Sequence, residues 1–212
     1  MDGITIKPEM LCGTAKIPLI RKKYDSVIAA YFLVGGAIGN DILCRGLKID
    51  KSAPEQKIAD IIKSAGGKII STEVGTSAVM TGHMHGVEAD AAGLMETLPA
   101  IVALLSFCKG ESRICNTSDI YRKNPQFIRE IEAEFRHLGA DITAFSDCIF
   151  INGGQVLLSD GANARGNPYL AMAITIAASR CEGEILLYGT ENIKNGDFER
   201  FYDVYKGIGG HI

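Results

Sequence analysis

Apolar residues recur at helical spacing in six places along the chain, in two alternating styles. In residues 25–38, 95–109 and 167–181 the apolar character runs almost all the way round ("SVIAAYFLVGGAI", "AMAITIAAS"), which predicts helices buried on every side. In residues 53–65, 125–138 and 197–206 it narrows to a stripe. Phe127, Ile128, Ile131, Phe135 and Leu138 share one face of the second of these, with charges opposite, which predicts an outer, half-buried helix. Between each inner helix and its outer partner stand a glycine, a polar residue and a short strand pattern of about five residues.

Each striped segment stops at a glycine, as a left-handed C-cap would stop it. These glycines, Gly66, Gly139 and Gly209, are 73 and 70 residues apart. A second set, Gly39, Gly110 and Gly183, opens the strand after each inner helix at spacings of 71 and 73. Two independent markers with one period imply an internal repeat. Strand pairs follow the first two capping glycines, "KIISTEV" with "SAVMTGH" and "ADITAFS" with "CIFING". The unit reads αβαββ, or βαβαββ with the strand before it. Three units are expected at approximately 1–80, 81–153 and 154–212, in one domain covering 1–212 with no linker or low-complexity segment. The fold class expected is α/β (α+β), with the apolar helices inside and the sheets and amphipathic helices outside.

Local signals agree with the helix starts. Ser52-Ala53-Pro54-Glu55 fits a capping box with proline in the first turn. Asn124-Pro125 and Asn167-Pro168 each read as an N-cap followed by proline. Arg122-Lys123 stands just before the second amphipathic helix, so the pair is expected at a helix N-terminus, where it opposes the helix dipole; it reads either as an anion site or as a solvated surface pair.

Composition narrows the chemistry. With 47% hydrophobic and 22% charged residues the chain is globular rather than disordered. A net charge of −3 leaves no overall basic footprint for nucleic acid. No apolar run reaches ~18 residues, so no membrane span is expected. The six cysteines form no CxxC pair, and no signal peptide is evident, so they read as reduced, mostly buried residues of a cytoplasmic protein. Without a secretory signal the Asn116-Thr117-Ser118 sequon carries no meaning. His83 and His85 would share a face on a strand, but no third ligand is near, so they read as solvent-exposed. Gly153-Gly154 reads as a turn, not a phosphate loop.

Several stretches resemble the enolpyruvyl transferase family, most of all its 5-enolpyruvylshikimate-3-phosphate synthases. "ITIKPEMLCGTAKIP" (4–18) looks like that family's opening strand pair, and "DSVIAAYFLVGGAI" (25–38) like its Asp-x-Ser-Ser-Ala-x-Tyr-Phe-Leu helix. "METLPAIVALLSFCKGESRICN" (95–116) resembles the Ile-Asp-Glu-Leu-Pro helix with its following strand. "YRKNPQFIREIEAEFRHLGADI" (121–142) stands at the Arg-x-Lys-Glu-(Ser/Thr)-Asp-Arg motif, "NPYLAMAITIAA" (167–178) at Asp-His-Arg-x-Ala-Met-Ala, and "ENIKNGDFERF" (191–201) at the late lysine motif. The family is built from six βαβαββ units in two lobes. This resemblance spans essentially the whole chain, but as one lobe.

The resemblance implies transfer of the enolpyruvyl group of phosphoenolpyruvate to shikimate-3-phosphate, with no cofactor. Two polyanions meet between the lobes at helix N-termini, where backbone N–H groups favour anions; lysines and arginines hold phosphates and carboxylate, and carboxylates move the proton. Carried over, Glu96 stands at the catalytic aspartate and Lys123 at the motif lysine, so these are the candidate catalytic residues. Arg122, Lys194, and Lys22 and Lys23 of "LIRKK" are the candidate anion-binding residues. The departures are as telling. The motif's glutamate, aspartate and last arginine are Asn124, Gln126 and Phe127; its Asp-His-Arg is Asn167, Pro168 and Tyr169; Val27 and Ile28 replace the serines after Asp25. Losing three charge-assisted contacts at roughly 1.5–3 kcal/mol each costs about four to six orders of magnitude in rate. The expectation is a domain inactive alone that needs a homodimer partner or a complementary second lobe, or else a non-catalytic paralogue serving as a binding module. Other branches of the superfamily fit less well, since one requires a cysteine nucleophile with no counterpart here and another a histidine that would have to be His211.

Overall fold

A computed structural model describes residues 3–17, 19–20, 23–49 and 54–212. Seven helices lie among them: α1 (Ser26–Ala37), α2 (Pro54–Ser64), α3 (Leu98–Phe107), α4 (Ser118–Lys123), α5 (Pro125–His137), α6 (Pro168–Ala178) and α7 (Gly196–Gly207). The three apolar helices α1, α3 and α6 pack on one another at the centre, and nearly all their residues are buried. Burial on all sides is why they carry no polar stripe. Each striped helix covers the inner helix of its own repeat, α2 on α1, α5 on α3 and α7 on α6.

The striped helices end alike. Gly66, Gly139 and Gly209 have φ of 90°, 93° and 93°. In each case the glycine N–H donates three residues back and the next N–H five residues back, for example Gly139 to Arg136 O and Ala140 to Phe135 O. This Schellman geometry satisfies carbonyls that the helix end leaves without partners, and after Gly66 and Gly139 it turns the chain toward the next strand.

The strands are β1 (Ile4–Ile6), β2 (Cys12–Ala15), β3 (Leu19–Ile20), β4 (Lys23–Tyr24), β5 (Asp41–Arg45), β6 (Lys68–Ser71), β7 (Gly75–Val79), β8 (Glu88–Asp90), β9 (Gly110–Cys115), β10 (Asp141–Ala144), β11 (Cys148–Gly153), β12 (Gly161–Asn163) and β13 (Ile185–Tyr188). Two four-stranded sheets share one plan, β2-β5-β7-β6 and β8-β9-β11-β10. In both, the strands flanking an inner helix run parallel and a hairpin follows antiparallel. The third sheet, β1-β13-β12, repeats the parallel pair and takes its antiparallel neighbour from β1, with Ile4 opposite Leu187. The first strand of the chain therefore joins the last sheet. Where α1 meets β7, a Cβ on Gly36 would collide with the carbonyl oxygen of Ala78, so only glycine permits that approach. The remaining short strands, β3 and β4, form a two-stranded ribbon before α1. Ser52 and Ala53 of the expected capping box lie outside the described residues.

Candidate functional site

Four helix starts are tied together by side chains. Asp25 caps α1, accepting from the N–H groups of Val27 and Ile28 at 3.1 Å each. Asn167 caps α6 through Tyr169 N and Leu170 N, and Asn195 caps α7 through Asp197 N and Phe198 N. Helix α3 is entered through a 3-10 turn, Met95–Thr97, with Pro99 in its first turn and no side-chain cap. Short polar side chains before proline or an apolar run are the usual local reason for such starts.

Longer bonds then join the starts to one another. The buried Tyr31 of α1 shares its O–H between the carbonyl of Glu96 at 2.8 Å and that of Tyr169 at 3.0 Å. The Tyr169 hydroxyl donates to Glu96 Oε1 at 3.1 Å. Arg200 of α7 reaches Asp25 Oδ2 at 3.2 Å and also pairs with Asp197. Tyr31 rests edge-on against Phe201 of α7, ring centres 6.1 Å apart.

The electrostatics follow from this crowding. Burial, then the Glu96 carboxylate, pushes the Tyr169 phenol up to about 12, so it stays a donor. Burial, then Tyr169 and Glu96, holds the Tyr31 phenol well above its ordinary range. Burial, then the charges of Asp25 and Glu96, raises the Asp197 carboxyl despite the opposing pull of Arg200. Asp25 and Asp197 thus share the Arg200 guanidinium, and the Glu96 carboxylate lies near enough to act on Asp197. Glu96 is the exposed member, held by a neutral phenol, and such a carboxylate can take a proton from a bound hydroxyl.

Of the residues singled out from sequence, Glu96 lies inside this junction. Lys194 is exposed and immediately precedes the α7 cap Asn195. Among the described residues no hydrogen bond or ion pair joins Lys194 or Lys123 to the junction. Lys22 lies outside the described residues, and Lys23 sits in β4. The placement of Arg122-Lys123 differs from expectation. The pair occupies the last turn of α4, a six-residue helix between β9 and α5, where the dipole favours cations rather than opposing them. Arg122 pairs with Asp119 one turn back at 2.6 Å, and Asn124 alone caps α5 through Phe127 N. The Asn124-Pro125 signal marks the second helix correctly; nothing comparable marks the first, because Thr117 makes no side-chain cap. His83 and His85 are exposed, as expected, and lie outside the named strands. Among the described residues no group of three or more His, Cys, Asp or Glu side chains has metal-site geometry.

Sequence reasoning missed Tyr31, Asp197 and Arg200, and treated Tyr169 only as a lost arginine. Two signals were present: Tyr31 is the one hydroxyl-bearing side chain past the first turn of an otherwise apolar helix, and Asp197 and Arg200 stand at i,i+3 in the first turns of α7.

Comparison with known proteins gives the family and the fold. The family model for EPSP synthase (3-phosphoshikimate 1-carboxyvinyltransferase) matches residues 8–205. The chain is 26% identical over 182 residues to the 3-phosphoshikimate 1-carboxyvinyltransferase of Clostridium perfringens strain 13, covering 86% of this chain and 43% of that protein. It is 28% identical over 197 residues to the protein of the same name from Methanocaldococcus jannaschii, covering 92% and 45%. An EPSP synthase structure from Acinetobacter baumannii superposes with TM-score 0.73 at 19% identity, over 86% of this chain and 45% of that one. The enolpyruvyl transferase NikO from Streptomyces tendae gives 0.67 at 14%, over 88% and 43%. The chain thus spans less than half the length of these relatives, with the fold of one enolpyruvyl-transferase lobe, and it belongs to the EPSP synthase family.

Proposed function

We propose that this chain is a single-lobe 3-phosphoshikimate 1-carboxyvinyltransferase-type domain that contributes half of an active site and does not turn over substrate alone. The observation that carries the reading is the Glu96–Tyr169 contact at the junction of four helix starts. Each start has first-turn backbone N–H groups, of which Asp25, Asn167 and Asn195 satisfy two apiece at α1, α6 and α7, and such groups suit anionic ligands. In the transfer, a shikimate-3-phosphate hydroxyl adds to the enol carbon of phosphoenolpyruvate, a proton reaches the methylene and phosphate leaves. Glu96 is suited to take the hydroxyl proton, with Tyr169 holding its carboxylate in place. Lys123, Arg122, Lys22, Lys23 and Lys194 are the cations on offer for phosphate and carboxylate. The junction itself is acid-rich, with Asp25, Glu96 and Asp197 against Arg200, so most of the positive charge must come from those lysines and from a facing lobe. That lobe is a second copy of this chain or a separate polypeptide. The chain is read as one domain of three repeats, and its site as cytoplasmic.

A second reading, a lobe with no catalytic duty, is favoured by one feature: Tyr169 stands in the stretch that resembles the family's Asp-His-Arg motif, and its hydroxyl occupies the Glu96 carboxylate that a substrate would need. Calorimetric titration with shikimate-3-phosphate and phosphoenolpyruvate, separately and together, discriminates. Binding that Lys123→Ala weakens about tenfold or more, the loss of one charge-assisted contact, supports the half-site. No heat at millimolar ligand, with or without an added second lobe, supports the non-catalytic reading.

A further inference from the structure

Cys115 closes β9 and Cys148 opens β11, and the antiparallel register sets them directly opposite each other. Side chains alternate along both strands. Glu111 and Arg113 put Cys115 on the outer face of the sheet, and Phe150 and Asn152 put Cys148 on the same face. Opposed residues in an antiparallel pair have Cα atoms about 4.5 or 5.5 Å apart. Either spacing lies inside the ~4.4–6.8 Å window of a disulfide. Both thiols are free, Cys115 half-buried and Cys148 6% exposed.

Their surroundings separate them from the other cysteines. Cys44, Cys108 and Cys181 are sunk in the core, where burial pushes each thiol up to about 12, and Cys12 is exposed on β2, in a different sheet from the pair. At the pair, Arg113 lies two residues back on the same face. Its guanidinium favours both thiolates, although burial of each thiol outweighs it. Asp147 accepts from Cys148 Sγ at 3.5 Å. Glu88 and Asp90 face the pair from β8, Asp90 in register with Cys115.

We propose that Cys115 and Cys148 form a cross-strand dithiol site that low-molecular-weight disulfides oxidise to an intramolecular disulfide. The more exposed Cys115, as thiolate, attacks one sulfur of a small disulfide such as glutathione disulfide and releases one thiolate. Cys148, as thiolate, then attacks Cys115 Sγ and releases the second. Two protein thiols lose two electrons and two protons, and one small disulfide becomes two thiols. The bond ties together the two ends of residues 116–147, the excursion that carries α4, α5 and β10. The site stands on register and exposure, and does not depend on the catalytic reading.

The test treats the folded wild-type chain with glutathione disulfide and maps peptides without reduction. The expected result is a Cys115–Cys148 linked peptide, lighter by about 2 Da for the two hydrogens lost and reversed by dithiothreitol. Cys148→Ser is expected to stop at a Cys115–glutathione adduct. A wild-type adduct at Cys115 that never resolves, a link to Cys12 instead, or reaction at Cys12 with none at the pair each overturns the proposal.

Discussion

Two charged regions of this molecule, the junction of four helix starts and the α4–α5 corner, look alike in sequence and differ in physical consequence. At the junction, Arg200 bonds Asp25 across 175 residues, and the Asp25 side chain is only 6% exposed. Tyr169 bonds Glu96 across 73 residues. At the corner, Arg122 bonds Asp119 across a single turn, with both side chains about three-quarters exposed at 77% and 74%. A charge pair in water contributes little, because high dielectric and side-chain entropy cancel most of the attraction. A pair that bridges repeats while shielded from water fixes the relation between helices. The same residue types therefore position the site in one place and only decorate the surface in the other.

Asp25→Ala is the strongest way to break that contrast. It removes the α1 cap, about 0.5–2 kcal/mol, and leaves Arg200 with Asp197 alone. Because Arg200 keeps roughly a third of its exposure, the pair is discounted, and the total expected loss is about 2–3 kcal/mol. Urea denaturation measures it; a loss below about 1 kcal/mol would make the junction no more consequential than the corner. Tyr31→Phe comes next. The shared O–H disappears from the carbonyls of Glu96 and Tyr169, and about 1–2 kcal/mol should go with it. Glu96 then loses its fixed backbone, so any proton-transfer role should weaken as well. Arg122→Ala is expected to change stability by no more than about 0.5 kcal/mol. A larger effect at that exposed position would show that the corner is tied to something beyond Asp119.

How much of this was legible in the sequence depends on the range of the interactions. The repeat, the inner and outer helices and the glycine stops were visible because each is written locally: a period of burial, an Asn-Pro start, a residue able to take positive φ. The third sheet was not, because β1 and β13 are more than 170 residues apart and nothing in Ile4–Ile6 specifies its neighbour. α4 was hidden for the opposite reason: six residues leave no room for a periodic pattern, and its N-cap makes no side-chain bond. At the junction, Glu96 was singled out through the resemblance, whereas Tyr31, Asp197 and Arg200 come together only when three repeats are folded onto one another. A tyrosine in an apolar helix announces a buried hydroxyl, but not which carbonyls it will meet.

The acid-rich character of the junction gives the finest test of the comparison. Asp197 titrates above the ordinary carboxylate value of 3.8 because burial and the charges of Asp25 and Glu96 outweigh Arg200. Its folded-state pKa is raised, so the folded chain binds that proton more tightly than the unfolded one. The stabilisation this supplies is complete below the unfolded value and is lost as pH rises through the folded pKa. Asp197→Asn should therefore flatten the pH dependence of stability across that interval, after allowance for the lost Arg200 contact. Glu96→Gln sharpens the point, since it deletes one of the charges raising Asp197 and leaves the fold's contacts nearly intact. Carboxyl-carbon NMR should show the Asp197 titration moving down in that variant. If it stays put, Glu96 and Asp197 do not sense each other, and the four helix starts act separately rather than as one electrostatic site.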